Sequence, residues 1–266
     1  MDALDRIAAA LERLSPPPPP AADPRAHPAY VWRDGVLAAT RAFVPQPLDR
    51  LLGIDRQKAA LVGNLDRLAS GRAAQDVLLW GARGTGKSAL VKSAVGAVQA
   101  AGGDLALVEV ATLHQLPALF AVLAPVPRAF ALFVDDLGVD DPADARLLRS
   151  MLEGGAEARP ANVRLLVTAN RRHIAARDIA EQDSAINPRD SIDDHLALAD
   201  RFGLSLGFHA IDQDQYLAIV AGYAAAYGLS YDPELAVRWA TQRGSRSGRV
   251  AWHYIVDVAG REGVAL

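Results

Sequence analysis

The sequence predicts an α/β fold: a parallel sheet of five strands covered by helices on both faces, followed by a small all-helical domain. Three observations predict it. From Leu48 onwards, short apolar runs alternate with helical patterns; a glycine-rich loop joins one run to a helix; and beyond Asp212 the strand-like runs stop. Uninterrupted apolar strands separated by helices belong to parallel sheets buried on both faces. At 266 residues the chain is long enough for one large domain with an appendage.

Leu4, Ile7, Leu11 and Leu14 recur at helical spacing, so the first fourteen residues predict a short amphipathic helix. "SPPPPPAADPRAHP" ends it and makes a stiff extended linker, because each proline fixes φ and removes a donor. Residues 1–45 are therefore assigned to helix and linker, 46–210 to the α/β domain and 211–266 to the helical domain. Strands are expected at Asp76–Trp80, Leu105–Val110, Phe130–Val134, Arg164–Ala169 and Leu204–Phe208. Helices are expected at Asp55–Ala69, Lys87–Ala100, Leu113–Leu123, Ala143–Glu153 and Ile192–Asp200. The last three, "DQDQYLAIVAGYAAAYG", "DPELAVRWATQRG" and "SGRVAWHYIVDVAGR", open on an acid or serine, and glycines mark their ends.

Composition excludes several classes. Without cysteine there are no disulfides and no thiolate ligands or nucleophiles, and the six histidines show no paired metal-binding spacing. A formal net charge of −3 argues against a protein that coats nucleic acid non-specifically. The N-terminus is charged throughout, and the longest uncharged run, Val110–Pro127, holds three prolines, so it reads as a buried loop and helix. A cytoplasmic protein without a membrane segment is expected.

"VLLWGARGTGKSAL" carries the chemistry. Gly81-Ala82-Arg83-Gly84-Thr85-Gly86-Lys87-Ser88 fits G-x-x-x-x-G-K-[ST] between a strand and a helix. Such a loop turns consecutive N–H groups toward a phosphate, and the helix that follows, starting near Lys87, adds its positive end, with Ala89 in its first turn also among the phosphate-binding residues. Lys87 would neutralise the β- and γ-phosphates, and the Ser88 hydroxyl would ligate Mg²⁺. "RAFALFVDDLG" then delivers Asp135 and Asp136 to the C-terminal edge of another strand, where ligands sit in open parallel sheets. Asp135 would hold the Mg²⁺, and Asp136 would orient or deprotonate a water.

Loop, acid pair and helical appendage together resemble the AAA+ P-loop ATPases, over Leu48 to the C-terminus. The resemblance implies a three-layer P-loop NTPase domain with a lid, ATP and Mg²⁺ as ligands, and a homo-oligomer. "VRLLVTANRR" resembles the strand that ends in sensor 1, carried over to Asn170. "LADRFGLSLGF" resembles the segment bearing an arginine finger, carried over to Arg201, which would act across a subunit interface. "RGSRSGRVAWHYI" resembles sensor 2, matching Arg249 best and Arg246 second. "LDRLLGIDRQKAAL" resembles the adenine-packing segment, with Leu52, Gly53 and Ile54 as its contacts. The phrases "LLWGARGTGKS", "NRRH", "DRFGL" and "GSRSGRVA" also resemble a family of bacterial ATPases known only as domain of unknown function 815.

Two positions depart from the AAA+ pattern. Asp136 stands where the family usually has Glu, one methylene or about 1.5 Å shorter, which implies slow turnover. "VATLHQLPALF" lacks the aromatic-hydrophobic-glycine triplet of protein-threading members. Arg171, Arg172, His173 and His195 fall in a polar insertion that resembles subunit-boundary segments; no catalysis is assigned to either histidine. Three functions fit: an ATPase remodelling or loading a protein or nucleic-acid partner, a slow ATP-gated binding switch, and a small-molecule kinase.

Overall fold

All five expected strands are present, and two more extend the sheet. The computed structural model describes Arg6 and residues 21–137, 142–154, 159–170 and 201–266. The expected first helix (1–14), the Ile192–Asp200 helix and Arg171, Arg172, His173 and His195 lie outside those residues, apart from Arg6. The strands are β1 (Ala29–Arg33), β2 (Val36–Ala39), β3 (Val77–Gly81), β4 (Leu105–Val110), β5 (Ala129–Val134), β6 (Val163–Asn170) and β7 (Leu204–Phe208). The helices are α1 (Asp55–Ala69), α2 (Lys87–Ala100), α3 (Leu116–Leu123), α4 (Pro142–Glu153), α5 (Gln213–Tyr227), α6 (Pro233–Gln242) and α7 (Gly248–Glu262).

Among the described residues the strands form one sheet in the order β2-β1-β4-β5-β6-β3-β7, parallel except for the β1–β2 hairpin. This corrects the expectation of five strands. The extra pair comes from the stretch assigned to the linker, where Asp34 and Gly35 both take positive φ and turn the chain tightly back. Asp-Gly at such a turn is a strong hairpin signal. Arg128 fixes the approach to β1 by donating to the carbonyls of Pro24 and His27.

Two apolar layers sandwich the sheet because successive side chains of each strand point to opposite faces. Val77, Leu79, Leu107, Phe133 and Leu166 pack with Leu61, Leu65 and Leu68 of α1 and Leu90, Val91 and Val95 of α2. Leu78, Val108, Leu132, Leu165 and Val167 pack on the other face with Leu116, Leu119 and Leu123 of α3 and Leu148 of α4. The Val110–Pro127 segment is buried here as expected, through Leu113, Leu116, Phe120 and Val126. All six β5 residues are buried, which explains the uninterrupted apolar run.

Helices α5 to α7 form a third core around Tyr216, Val220, Ala251, Tyr254 and Ile255. The Asp212, Asp232 and Ser247 side chains accept from backbone N–H groups in the first turns of the three helices, and Gly228 and Gly263 end α5 and α7 in left-handed backbone. The lid is tied to the sheet domain by Leu52, which packs on its core, by Arg50, which donates to the Tyr227 hydroxyl at 3.1 Å, and by Gln215, which reaches the Gly53 carbonyl at 3.3 Å. Among the described residues no helix is long and apolar enough to cross a membrane.

Candidate functional site

Sheet register brings the chemistry-bearing residues to one edge. Gly81 at the end of β3 pairs with Asn170 at the end of β6, and Val134 of β5 pairs with Val167 of β6. The next step along β5 therefore sets Asp135 beside Thr168. Because these strands are parallel, all their C-terminal ends open on the same side, below the lid. A cavity of about 530 Å³ lies there, between the sheet edge, the Gln46–Gln57 segment and the lid.

The loop after β3 is built around positive-φ glycines. Gly81 has φ 138°, and a Cβ there would stand 1.9 Å from the Phe208 carbonyl oxygen of β7. Gly86 precedes α2 at φ 95°, in left-handed backbone that lets the loop turn straight into the helix. Lys87, 7% exposed, donates to the carbonyls of Gly81 and Ala82 at 2.9 Å each and to Asn170 Oδ1 at 3.3 Å. Burial pushes its ammonium below the ordinary lysine pKa; Asp136 and Asp135 oppose the shift, and Arg249 and Arg83 add to it.

Asp135 Oδ1 accepts from the hydroxyls of Ser88 and Thr168, both at 2.6 Å. Asp136 sits in left-handed backbone at φ 53°, and its N–H donates to Thr168 Oγ1 at 2.8 Å. The Asp136 carboxylate accepts from the Asn170 amide. Asn170 thus spans the site, its oxygen toward Lys87 and its amide nitrogen on Asp136.

Most residues expected from the sequence meet in this cavity. Leu52, Gly53, Ile54, the run Arg83–Ala89, Asp135, Asp136, Asn170 and Arg249 all line it. Gly81 and Ala82 do not, and contribute through the carbonyls that hold Lys87. Of the two arginines that the resemblance offers for sensor 2, only Arg249 reaches the cavity; Arg246 points to Gln213 Oε1 at 3.5 Å. Arg201 is not among the lining residues and pairs with Glu153 at the end of α4. Thr168, Gln46, Gln57, Tyr223 and Trp252 also line the cavity, though no sequence motif marks them. Their signal is tertiary: Gln57 belongs because its amide reaches the Gly207 carbonyl at 2.8 Å, which no local pattern encodes.

The donor set suits a hard divalent cation shared with phosphates. Ser88 and Asp135 offer hard oxygens side by side, and among the described residues no group of three acidic, histidine or cysteine side chains could hold a metal by itself. Mg²⁺ is commonly held in this way, by one or two carboxylates with water and phosphate completing the shell.

The fold and this edge define a P-loop α/β domain with a helical lid. The chain belongs to the family described as protein of unknown function (DUF815), whose model matches residues 25–262. No curated protein matches the sequence. Among solved structures, the RuvB Holliday junction branch migration motor of Thermotoga maritima is 18% identical at a TM-score of 0.53, over 83% of this chain and 67% of that one. A variant of the same RuvB gives 19% and 0.54 over the same shares. The Orc1 protein of Aeropyrum pernix, solved in complex with DNA, is 15% identical at 0.53, over 84% and 66%. At these identities the likeness is one of fold.

Proposed function

We propose that the chain binds and hydrolyses Mg-ATP, and that this ATPase cycle remodels or loads a macromolecular partner. One observation carries the reading: Lys87, Ser88, Asp135, Asp136, Asn170 and Arg249, brought from four separate segments, line one cavity. Lys87, already stripped of much of its water, neutralises the β- and γ-phosphates, whose charge restores its preference for the protonated form. Ser88 and Asp135 would hold Mg²⁺, whose charge would offset the charge that develops on the phosphates. Asp136 takes the proton of the attacking water, Asn170 turns its amide to the γ-phosphate, and Arg249 brings the lid down on it. Leu52, Gly53 and Ile54 pack on the adenine.

Arg201 lies outside its own cavity, which supports its acting in trans on a neighbouring copy and hence a homo-oligomer. The partner is a protein or a nucleic acid; RuvB, by its description a branch migration motor, and Orc1, solved with DNA, lend weight to nucleic acid. The burial of Leu113, Leu116 and Phe120 supports a partner handled without threading through a pore loop on that segment. The reading is tested by assaying turnover with single- and double-stranded DNA, RNA and unfolded protein. Stimulation of several-fold by one class is expected, and no turnover under any condition refutes it.

Asp136 favours a second reading, a slow ATP-gated binding switch. Its side chain is short and already held by Asn170, so the water must come close for proton transfer. A switch predicts partner binding that differs between ATP and ADP, with turnover below about one per minute against an enzyme median near 10 per second.

A further inference from the structure

Thr168 is the joint between the two acids. Its side chain is 1% exposed, at the centre of the β5–β6 edge. One hydroxyl makes both contacts: it donates to Asp135 Oδ1 at 2.6 Å and accepts from the Asp136 N–H at 2.8 Å. The chain leaves β5 at this point through the left-handed Asp136, and Leu137 is tied to the Thr168 carbonyl at 2.9 Å. A non-glycine residue with positive φ costs about 1–3 kcal/mol unless its surroundings hold it. Here the hold comes from Thr168, whose hydroxyl and carbonyl take two successive N–H groups of the turn.

We propose that Thr168 is a positioning residue for phosphoryl transfer, its hydroxyl setting the relative orientation of Asp135 and Asp136. This rests on the ATPase reading above. The hydroxyl aims Asp135 Oδ1 toward Ser88 and leaves Oδ2 available to the cation. Through the Asp136 N–H it fixes the turn that brings that carboxylate to Asn170. Valine in place of threonine keeps shape and β preference but supplies neither donor nor acceptor. Serine keeps both.

The test compares Thr168→Val, Thr168→Ala and Thr168→Ser in the full chain. Because partners that orient metal-binding groups are worth about 10- to 100-fold in activity or metal affinity, kcat should fall by about that factor in the valine and alanine variants. Binding of a fluorescent ATP analogue in EDTA should stay within about twofold of the unmodified chain, whereas its tightening by Mg²⁺ should be lost. Serine should restore both to within about threefold. A valine variant with unchanged kcat and Mg²⁺ response overturns the proposal, as does a folded serine variant that fails as fully as valine. Should valine not fold, alanine is read in its place, and the serine criterion stands by itself. An unmodified chain that neither binds nor hydrolyses ATP sinks the ATPase reading, whereas turnover that is indifferent to Thr168 sinks this inference alone.

Discussion

Asp136→Asn separates binding from chemistry. The substitution keeps the shape of the side chain and the N–H bond to Thr168 Oγ1, and its amide can turn its oxygen to keep the bond from Asn170. It removes the proton acceptor. A positioned general base contributes on the order of 10² to 10⁴ in rate, or about 2.7–5.5 kcal/mol of barrier, so kcat should fall by that factor. Nucleotide affinity should change little, because Lys87, Ser88 and Asp135 are untouched. Among the influences on Lys87, Asp136 is the strongest that favours its charged form. Losing that carboxylate therefore depresses the lysine pKa further, and the fraction of charged Lys87 should begin to fall at a lower pH than in the unmodified chain. The assay is steady-state phosphate release beside equilibrium binding of a fluorescent ATP analogue. Turnover within threefold of the unmodified chain would mean that the water is activated elsewhere and that Asp136 has been misassigned.

Arg249→Ala should weaken Mg-ATP binding or turnover by about 10- to 100-fold, the worth of one hydrogen bond to a charged group, whereas Arg246→Ala should stay within about twofold; equal losses would return the sensor-2 assignment to both. Arg201→Ala should lower turnover on the order of 10³ without loss of nucleotide binding, and mixing it with Asp136→Asn chains should restore activity if the arginine acts in trans. Full activity of Arg201→Ala at saturating protein would remove it from the site. Gly81→Ala sets a Cβ against the Phe208 carbonyl at φ 138° and should cost at least about 3 kcal/mol. That is a fall in Tm of roughly 6–12 °C, and a Tm within 2 °C would contradict the close approach of β3 and β7.

The parts of the site that lie along one segment were legible in the sequence. The glycines and Lys87-Ser88 sit in one loop, and the apolar run of β5 ends directly in the twin aspartates. Helices α1 and α2 begin and end at the expected residues because their apolar spacing is uninterrupted. What hid was whatever needs two strands at once. Thr168 reads as one more β-branched strand residue until β6 is set beside β5. The tie from Asn170 to Asp136 likewise exists only through that pairing. The β1–β2 hairpin was hidden for a different reason. Its Asp34-Gly35 turn was in plain sight, but the prolines before it made the whole stretch read as linker.

Every role assigned to these residues requires a nucleoside triphosphate in the space between Lys87 and the lid. Calorimetric titration of the purified chain with a slowly hydrolysed ATP analogue and Mg²⁺ reads this directly. Saturable binding well below millimolar concentration, weakened at least about tenfold by Lys87→Ala and by omission of Mg²⁺, is the predicted result. Heat that never rises above dilution at millimolar nucleotide, or binding equal in the Lys87→Ala chain, would contradict it.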